Sequence, residues 1–289
     1  MRMNSFATAV LIVTGILVSA APAGAPMGPA TAFLGDGRWA VGGEYAYEQT
    51  DLDAFGTVTE RFLNDTSFFW TQPFRVDDLT SNMFFGTLAF GISDNWDIFA
   101  RVGAADAKDK IVALSADTDA IERQNDFDGS FGLAWGAGTR ATFCRSGPWS
   151  FGGLMQVTWF RPGNSDFSVA DPLIPDESWV GEAKLNYWQA QAALAATYQV
   201  DQWRFWAGPF LQSIRGDLDF SGAAVLNGAG VSTIRWTSDV QESSQFGGHF
   251  GANWEVSDVF DVWVEGQVTG DSWLVGVGAM FRPEKSFGI

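Results

Sequence analysis

The sequence predicts an all-β chain, a transmembrane antiparallel up-and-down β-barrel of about ten strands, with twelve as the alternative count. Three observations carry this prediction. From about residue 37 onward, apolar residues alternate with small or polar ones over segments of about ten, the period of a strand with two different faces. Tight turns alternate with long polar connections, so one end of the barrel is closely trimmed and the other is not. Finally, every expected strand carries an aromatic residue at its trimmed end, on the parity that holds the bulky apolar side chains.

Bulk composition points the same way. The 289 residues include 33 Gly, 14 Trp and 25 Phe, which favours short aromatic strands over a helical enzyme. A mean hydropathy near zero excludes a helical membrane protein. Cys144 is the single cysteine, so no intramolecular disulfide and no cysteine-built zinc site can form. No cysteine stands near the expected cleavage site to carry a lipid. A net charge of −17 with only 17 scattered Lys and Arg argues against a nucleic-acid partner.

The first 25 residues read as a signal peptide. Arg2 supplies the charge, Phe6 to Val18 the apolar run, and Ser19 to Ala25 the small residues around the cut. Cleavage is expected in the window from Ala20 to Ala25, best after Ala20, because cuts after Ala21 or Ala25 place Pro22 or Pro26 immediately downstream. The run is short of the ~20 residues that a spanning helix needs. Residues 26–37 then form a short periplasmic segment, 38–283 the barrel, and 284–289 a tail.

Strands are expected at about 38–48, 82–92, 95–105, 127–143, 148–160, 183–199, 202–214, 243–256, 259–269 and 271–282. Ser93-Asp94-Asn95, Arg145 to Pro148, Asp201-Gln202 and Ser257-Asp258 are the tight turns; about 49–81, 106–127, 163–182 and 216–242 are the long loops. Ser93 to Phe99 and Ser257 to Trp263 share one turn-and-strand plan, reused at Asp201 to Trp206. The aromatics at the trimmed end are Trp39, Phe90, Trp96, Phe143, Trp149, Tyr198, Trp203, Trp254, Phe260 and Phe281. Amphipathic rings settle at headgroup level, so this set reads as a lipid-interface girdle. Tyr47, Phe84, Trp159, Trp188, Phe246 and Trp273 make a partial second one. A soluble β-sandwich shares the alternation but gives no reason for aromatics to gather at strand ends.

On these girdle residues, and on a last strand, Ser272 to Phe281, that ends in an outward aromatic, residues 38–283 resemble bacterial outer-membrane β-barrel proteins as a general class. The resemblance implies residence in the outer membrane of a Gram-negative bacterium, with outer-membrane lipid and the barrel insertion machinery as partners and a monomer as the expected state. Pro283 to Ile289 after Phe281 departs from the chain-terminal aromatic usual in that class.

The parity opposite the girdle faces the lumen. It carries Glu44, Glu48, Asp97, Arg101, Arg140, Arg204, His249, Glu255, Asp261 and Glu265, with Gln156, Gln189, Gln191 and Asn253. Small inward residues such as Gly91 and Gly152 leave room for water, while Phe85, Phe99, Trp206, Phe210 and Trp263 also point in. Two readings follow: a narrow channel for small hydrophilic solutes or ions, cation-selective through its acids, or a closed structural or surface-attachment barrel that works through its loops. A hydrolase is the third and least favoured. His249 is the only histidine, lies mid-barrel and faces inward, whereas an omptin-like protease needs its histidine and acids at the outer rim. No enzyme activity and no cofactor are therefore expected.

The loops are acidic, with Asp51, Asp53, Glu60, Asp65, Asp77 and Asp78 in the first and Asp106, Asp109, Asp117, Asp119, Glu122, Asp126 and Asp128 in the second. Such acids suit divalent cations. No stretch matches a full calcium loop, so plain solvation is the better reading. Phe68-Phe69-Trp70 and Phe74 are apolar enough to fold over the mouth, extend the sheet or touch a partner.

Overall fold

A computed structural model describes residues 24–114, 121–170, 177–226, 229–242 and 245–283. The leader up to residue 23, Asp117 and Asp119 of the second loop, and the tail 284–289 lie outside the described residues. Among the described residues twelve strands run in chain order: β1 (Trp39–Phe62), β2 (Ser67–Ser93), β3 (Trp96–Leu114), β4 (Ile121–Ser146), β5 (Trp149–Arg161), β6 (Ser165–Ala170), β7 (Glu177–Val200), β8 (Trp203–Leu226), β9 (Ala229–Gln241), β10 (Phe246–Ser257), β11 (Phe260–Val268) and β12 (Ser272–Phe281).

All pairings are antiparallel, and ten strands close a ring in the order β1, β2, β3, β4, β5, β7, β8, β10, β11, β12 and back to β1. Closure leaves the ring without an unpaired strand edge, which an open sheet in lipid would present. The two-residue turns Asp94-Asn95, Gly147-Pro148, Asp201-Gln202 and Asp258-Val259 lie at one end. Gly147 and Asp201 take positive φ there, as tight hairpin turns demand. The ten expected strands are these ten ring strands.

The long connections differ from the expectation. The segments read as loops at 49–81, 106–127, 163–182 and 216–242 are mainly strand, since β1, β2, β3, β4, β7 and β8 run on past the girdle and β6 and β9 are built wholly there. Above Phe246, Val268 and Ser272, where β10, β11 and β12 stop, β9 takes their place by pairing β8 at Arg215–Leu226 and β1 at Asp53–Phe62. On the other side β6 pairs β7 where β5 has ended, and Ser165 Oγ receives the Asp128 amide of β4 at 2.9 Å. A second tier of wall therefore stands on the ring. On β1, β7 and β8 the alternation continues through both tiers in phase, while on β2 and β4 it shifts by one residue near Asp78 and Ser130; on all of them what alternates changes. In the ring the outward residues are apolar, as in Val41, Val102, Val264 and Val277, all about half exposed. In the upper tier the outward residues of β9 are Thr233, Arg235, Thr237 and Asp239, while Ile234, Trp236 and Val240 are buried inside.

The aromatics of the trimmed end face outward and meet across strands: Trp39 opposite Phe90, Trp149 opposite Tyr198, Trp203 opposite Trp254 and Phe260 opposite Phe281. Trp96 and Phe143 are exposed on the same belt. Near the other edge of the apolar band Trp135 stacks on Trp159 at 4.3 Å and Tyr47 meets Trp273 at 5.3 Å. An apolar belt bounded by aromatic rings, on a closed antiparallel ring, is the architecture of a bacterial outer-membrane β-barrel.

Candidate functional site in the lumen

The lumen is occupied. Residues 24–36, most of which fall in the segment 26–37 expected to lie in the periplasm, run inside the ring, where Ala25, Met27, Ala30, Ala32 and Leu34 are all buried. This segment, the plug, packs its apolar side chains on the inward Phe99, Leu154, Trp206, Phe210, Trp263 and Met280. The small inward residues that promised room for water give that room to the plug instead. A Cβ on Gly91 would overlap the Gly35 backbone, and one on Gly152 would press on Ala30 and Thr31. A segment of alternating Pro, Gly and Ala has no period of its own, so nothing in residues 24–36 signals a lumen ligand. It enters because the wall offers polar groups where its backbone needs partners.

Most of those partners are predicted lumen residues; Thr142 and Gln267 are not. Met27 and Gly28 donate to the two Glu265 carboxylate oxygens at 2.7 Å each. Arg101 Nη1 donates to the Pro26 carbonyl at 2.6 Å and Arg140 Nη1 to the Pro29 carbonyl at 3.3 Å. Phe33 donates to Asp97 Oδ2 at 2.9 Å and Ala32 to Thr142 Oγ1 at 3.1 Å. The Ala25 amide donates to Gln189, while its carbonyl accepts from Gln156 and Gln267. Phe33 also lies under the Arg140 guanidinium, 4.5 Å from ring centre to Cζ.

The charges pair among themselves as well. Arg101 meets Glu44 at 3.5 Å and Arg140 meets Asp97 at 3.8 Å, the second pair being direct neighbours in the β3–β4 register. Toward the trimmed end Arg204 pairs with Glu255, and Arg282 pairs with Asp261 at 2.5 Å. Arg282 follows the last strand and escaped the sequence reading, as did Gln212, Gln267 and Glu242. Gln212 accepts from Gln189 at 2.8 Å and Gln191 at 3.0 Å, then donates to Glu242 at 2.8 Å. Its parity on β8 marks it as inward, whereas Glu242 ends the stretch 216–242 that reads as a loop and carries no such mark.

His249 is 1% exposed, and its Nε2 lies 3.3 Å from the Leu194 carbonyl. Its ring stands edge-on to Phe210 at 6.3 Å. No serine and no carboxylate bonds it among the described residues. Among the described residues no group of three His, Cys, Asp or Glu is gathered for a metal.

Above the plug the interior turns apolar. Leu52, Val76, Leu79, Ile214, Leu218 and Phe220 are packed with Phe74, which stacks on Trp236 at 3.6 Å. Among the described residues the lumen is thus filled at two levels, by the plug inside the ring and by side chains inside the tier. At its top Leu63, Phe68 and Phe69 remain exposed on the β1–β2 hairpin.

No family model matches the chain, and no curated protein matches it. Solved structures similar to it include the outer membrane protein OprG from Pseudomonas aeruginosa, with 12% identity, a TM-score of 0.41, and 87% of this chain and 98% of that one covered. The outer membrane protease OmpT from Escherichia coli follows at 6% identity and a TM-score of 0.39, covering 90% and 97%. An outer membrane channel from Pseudomonas putida F1 shares 10% identity at a TM-score of 0.32, covering 90% and 100%. Likeness at this level argues for no particular function; the architecture rests on the ring and its belt.

Proposed function

We propose that this chain is a bacterial outer-membrane protein, exported on its N-terminal signal peptide, that stands as a closed barrel and works through the strand-built tier it raises outside the membrane. The observation that carries this reading is the filling of the interior at two levels, by the plug and by the apolar packing of the tier. A barrel meant to conduct freely would hold water at the level where Leu218 and Phe220 meet. A tier packed this way is instead a stiff stalk, and the exposed Leu63, Phe68 and Phe69 give its tip an apolar contact surface. The protein acts as a monomer in lipid, placed there by the barrel insertion machinery, and has no catalytic role.

One observation favours a second reading, a narrow channel gated by the plug. The plug is held chiefly by lumen side chains, and its departure would bare Arg101, Glu265 and the glutamine layer to water. Single-channel recording in a planar bilayer separates the two, after heat-modifiable gel mobility has established a folded barrel. The closed reading expects silence both from the intact protein and from a variant lacking residues 24–36, because the tier still seals the path. Cation-preferring steps in the shortened variant would overturn it in favour of the gated channel. Steps from the intact protein would overturn both closures.

A further inference from the structure

The inner end of the plug lies beside two buried acids that no base answers. Glu48 on β1 and Glu242 just after β9 are almost wholly buried. Among the described residues Glu48 Oε1 and Glu242 Oε2 have no hydrogen-bond partner, and the two carboxylates are close enough to repel each other. Glu242 spends its other oxygen on Gln212 and Ser272, at 2.8 and 3.0 Å. Among the described residues, neither acid forms an ion pair with Lys or Arg. Buried carboxylates persist only when something cationic or a full set of donors meets them.

The residue that does reach Glu48 is Gly24, whose backbone nitrogen donates to it. Gly24 has φ of +46°, and a Cβ there would overlap the side-chain amides of Gln189, Gln191 and Gln212. The wall is closed around a residue with no side chain. Immediately before it the sequence reads Ala21-Pro22-Ala23, small residues at the third and first positions upstream of the Ala23–Gly24 bond, with proline between them and none directly after.

We propose that the mature chain begins at Gly24 and that its α-ammonium, seated inside the lumen, is the counter-charge shared by Glu48 and Glu242. This rests on the reading of an exported barrel and places the cut three residues beyond Ala20. A signal peptidase hydrolyses the Ala23–Gly24 amide with one water. The water oxygen goes to the Ala23 carboxylate, and the Gly24 nitrogen leaves as an amine that takes up a proton. An α-amino group ordinarily holds its proton up to about pH 8. Processing therefore turns a neutral donor at Glu48 into a cation, and the plug is pinned by charge only once the leader has gone.

The test uses protein isolated from the outer membranes of a Gram-negative host that carries the full gene. N-terminal sequencing and intact mass are expected to give Gly24 as the first residue; Ala21, or an uncut chain, overturns the proposal. In the folded barrel the α-amine is expected to resist an amine-selective acylating reagent and to react fully after heat unfolding. Equal labelling in both states overturns it. The doubly neutralised variant, Glu48→Gln with Glu242→Gln, supplies a sign. With the ammonium in place, losing its partners lowers the heat-modification midpoint by about 5 °C or more, whereas two acids lacking a cation would gain stability from the same change. Absence from the outer-membrane fraction, or a wild-type band that does not shift on heating, defeats the exported-barrel reading itself. A folded outer-membrane barrel with another N-terminus defeats only the inference.

Discussion

Along β8 the inward side chains run Arg204, Trp206, Phe210 and Gln212 inside the membrane ring, then Ile214, Leu218 and Phe220 in the tier above. The outward ones run Phe205, Ala207, Pro209 and Leu211, then Arg215, Asp217 and Asp219. One strand thus crosses two solvents with its phase intact and its polarity reversed. In the ring the outside must be apolar because lipid offers no hydrogen bonds, and the inside mixes polar groups that meet the plug backbone with apolar ones that pack on its side chains. In the tier water lies outside, and the inside is stabilised by apolar burial like any soluble core. The same wall therefore answers to opposite rules a few residues apart.

A charge placed inside the tier tests this reversal most severely. Leu218→Asp puts an unpaired carboxylate in a dry core, at a cost of about 4 kcal/mol or more. The tier is expected to open while the ring stays intact, so that protease added to whole cells removes residues above the girdle and heat-modifiable mobility survives. Loss of both together would mean that the tiers do not fold separately.

Asp109 offers the same test by titration. It lies buried on β3 above the membrane, accepting the Lys110 amide, and burial first, then the nearby Asp77, Asp51 and Asp78, push its carboxyl up from 3.8 to about 8. Between those two values the folded tier holds a proton that the unfolded chain has released, so stability falls as pH rises through the window. Each pKa unit carries about 1.4 kcal/mol. Asp109→Asn mimics the protonated form: protease resistance of the tier is expected to be nearly flat from pH 4 to about 9, exceeding wild type at the alkaline end. An equal pH slope in the variant would place the titration elsewhere.

Charge on the outer face separates the tiers in the opposite sense. Val102→Arg, at mid-belt, is expected to cost about 2–4 kcal/mol in denaturant titrations of the protein folded into vesicles. Thr237→Arg on the outside of β9 is expected to stay within about 0.5 kcal/mol of wild type. Equal costs would remove the boundary at the girdle. The smallest effect concerns Asp217 and Asp239, which oppose each other across β8 and β9. Like charges in register repel, so Asp217→Lys is expected to gain about 0.5 kcal/mol at low salt and less at high salt.

The ring and its girdle were legible in the sequence because Trp39, Trp96, Trp149, Trp203 and their partners sit at one parity beside short turns, a signal that needs no long-range information. The inward placement of Arg101, Arg140, Glu265 and His249 follows from the same parity. The upper tier was hidden in plain alternation: Leu52, Ala54 and Val58 keep the step of β1, but acids at Asp51 and Asp53 made the stretch look like a solvated loop. Reading it as strand requires knowing that β9 will bridge β8 and β1, and that pairing joins residues far apart in the chain.

The plug lay further out of reach. Residues 24–36 carry no pattern, and their place is set by a shape that exists only after the ring has closed around them. By itself the sequence determined the strand period, the two faces and the membrane boundary, since each is local and repeats every two residues. Tertiary structure alone decided what fills the barrel, because the carbonyls of Pro26 and Pro29 find Arg101 and Arg140 only across a closed lumen.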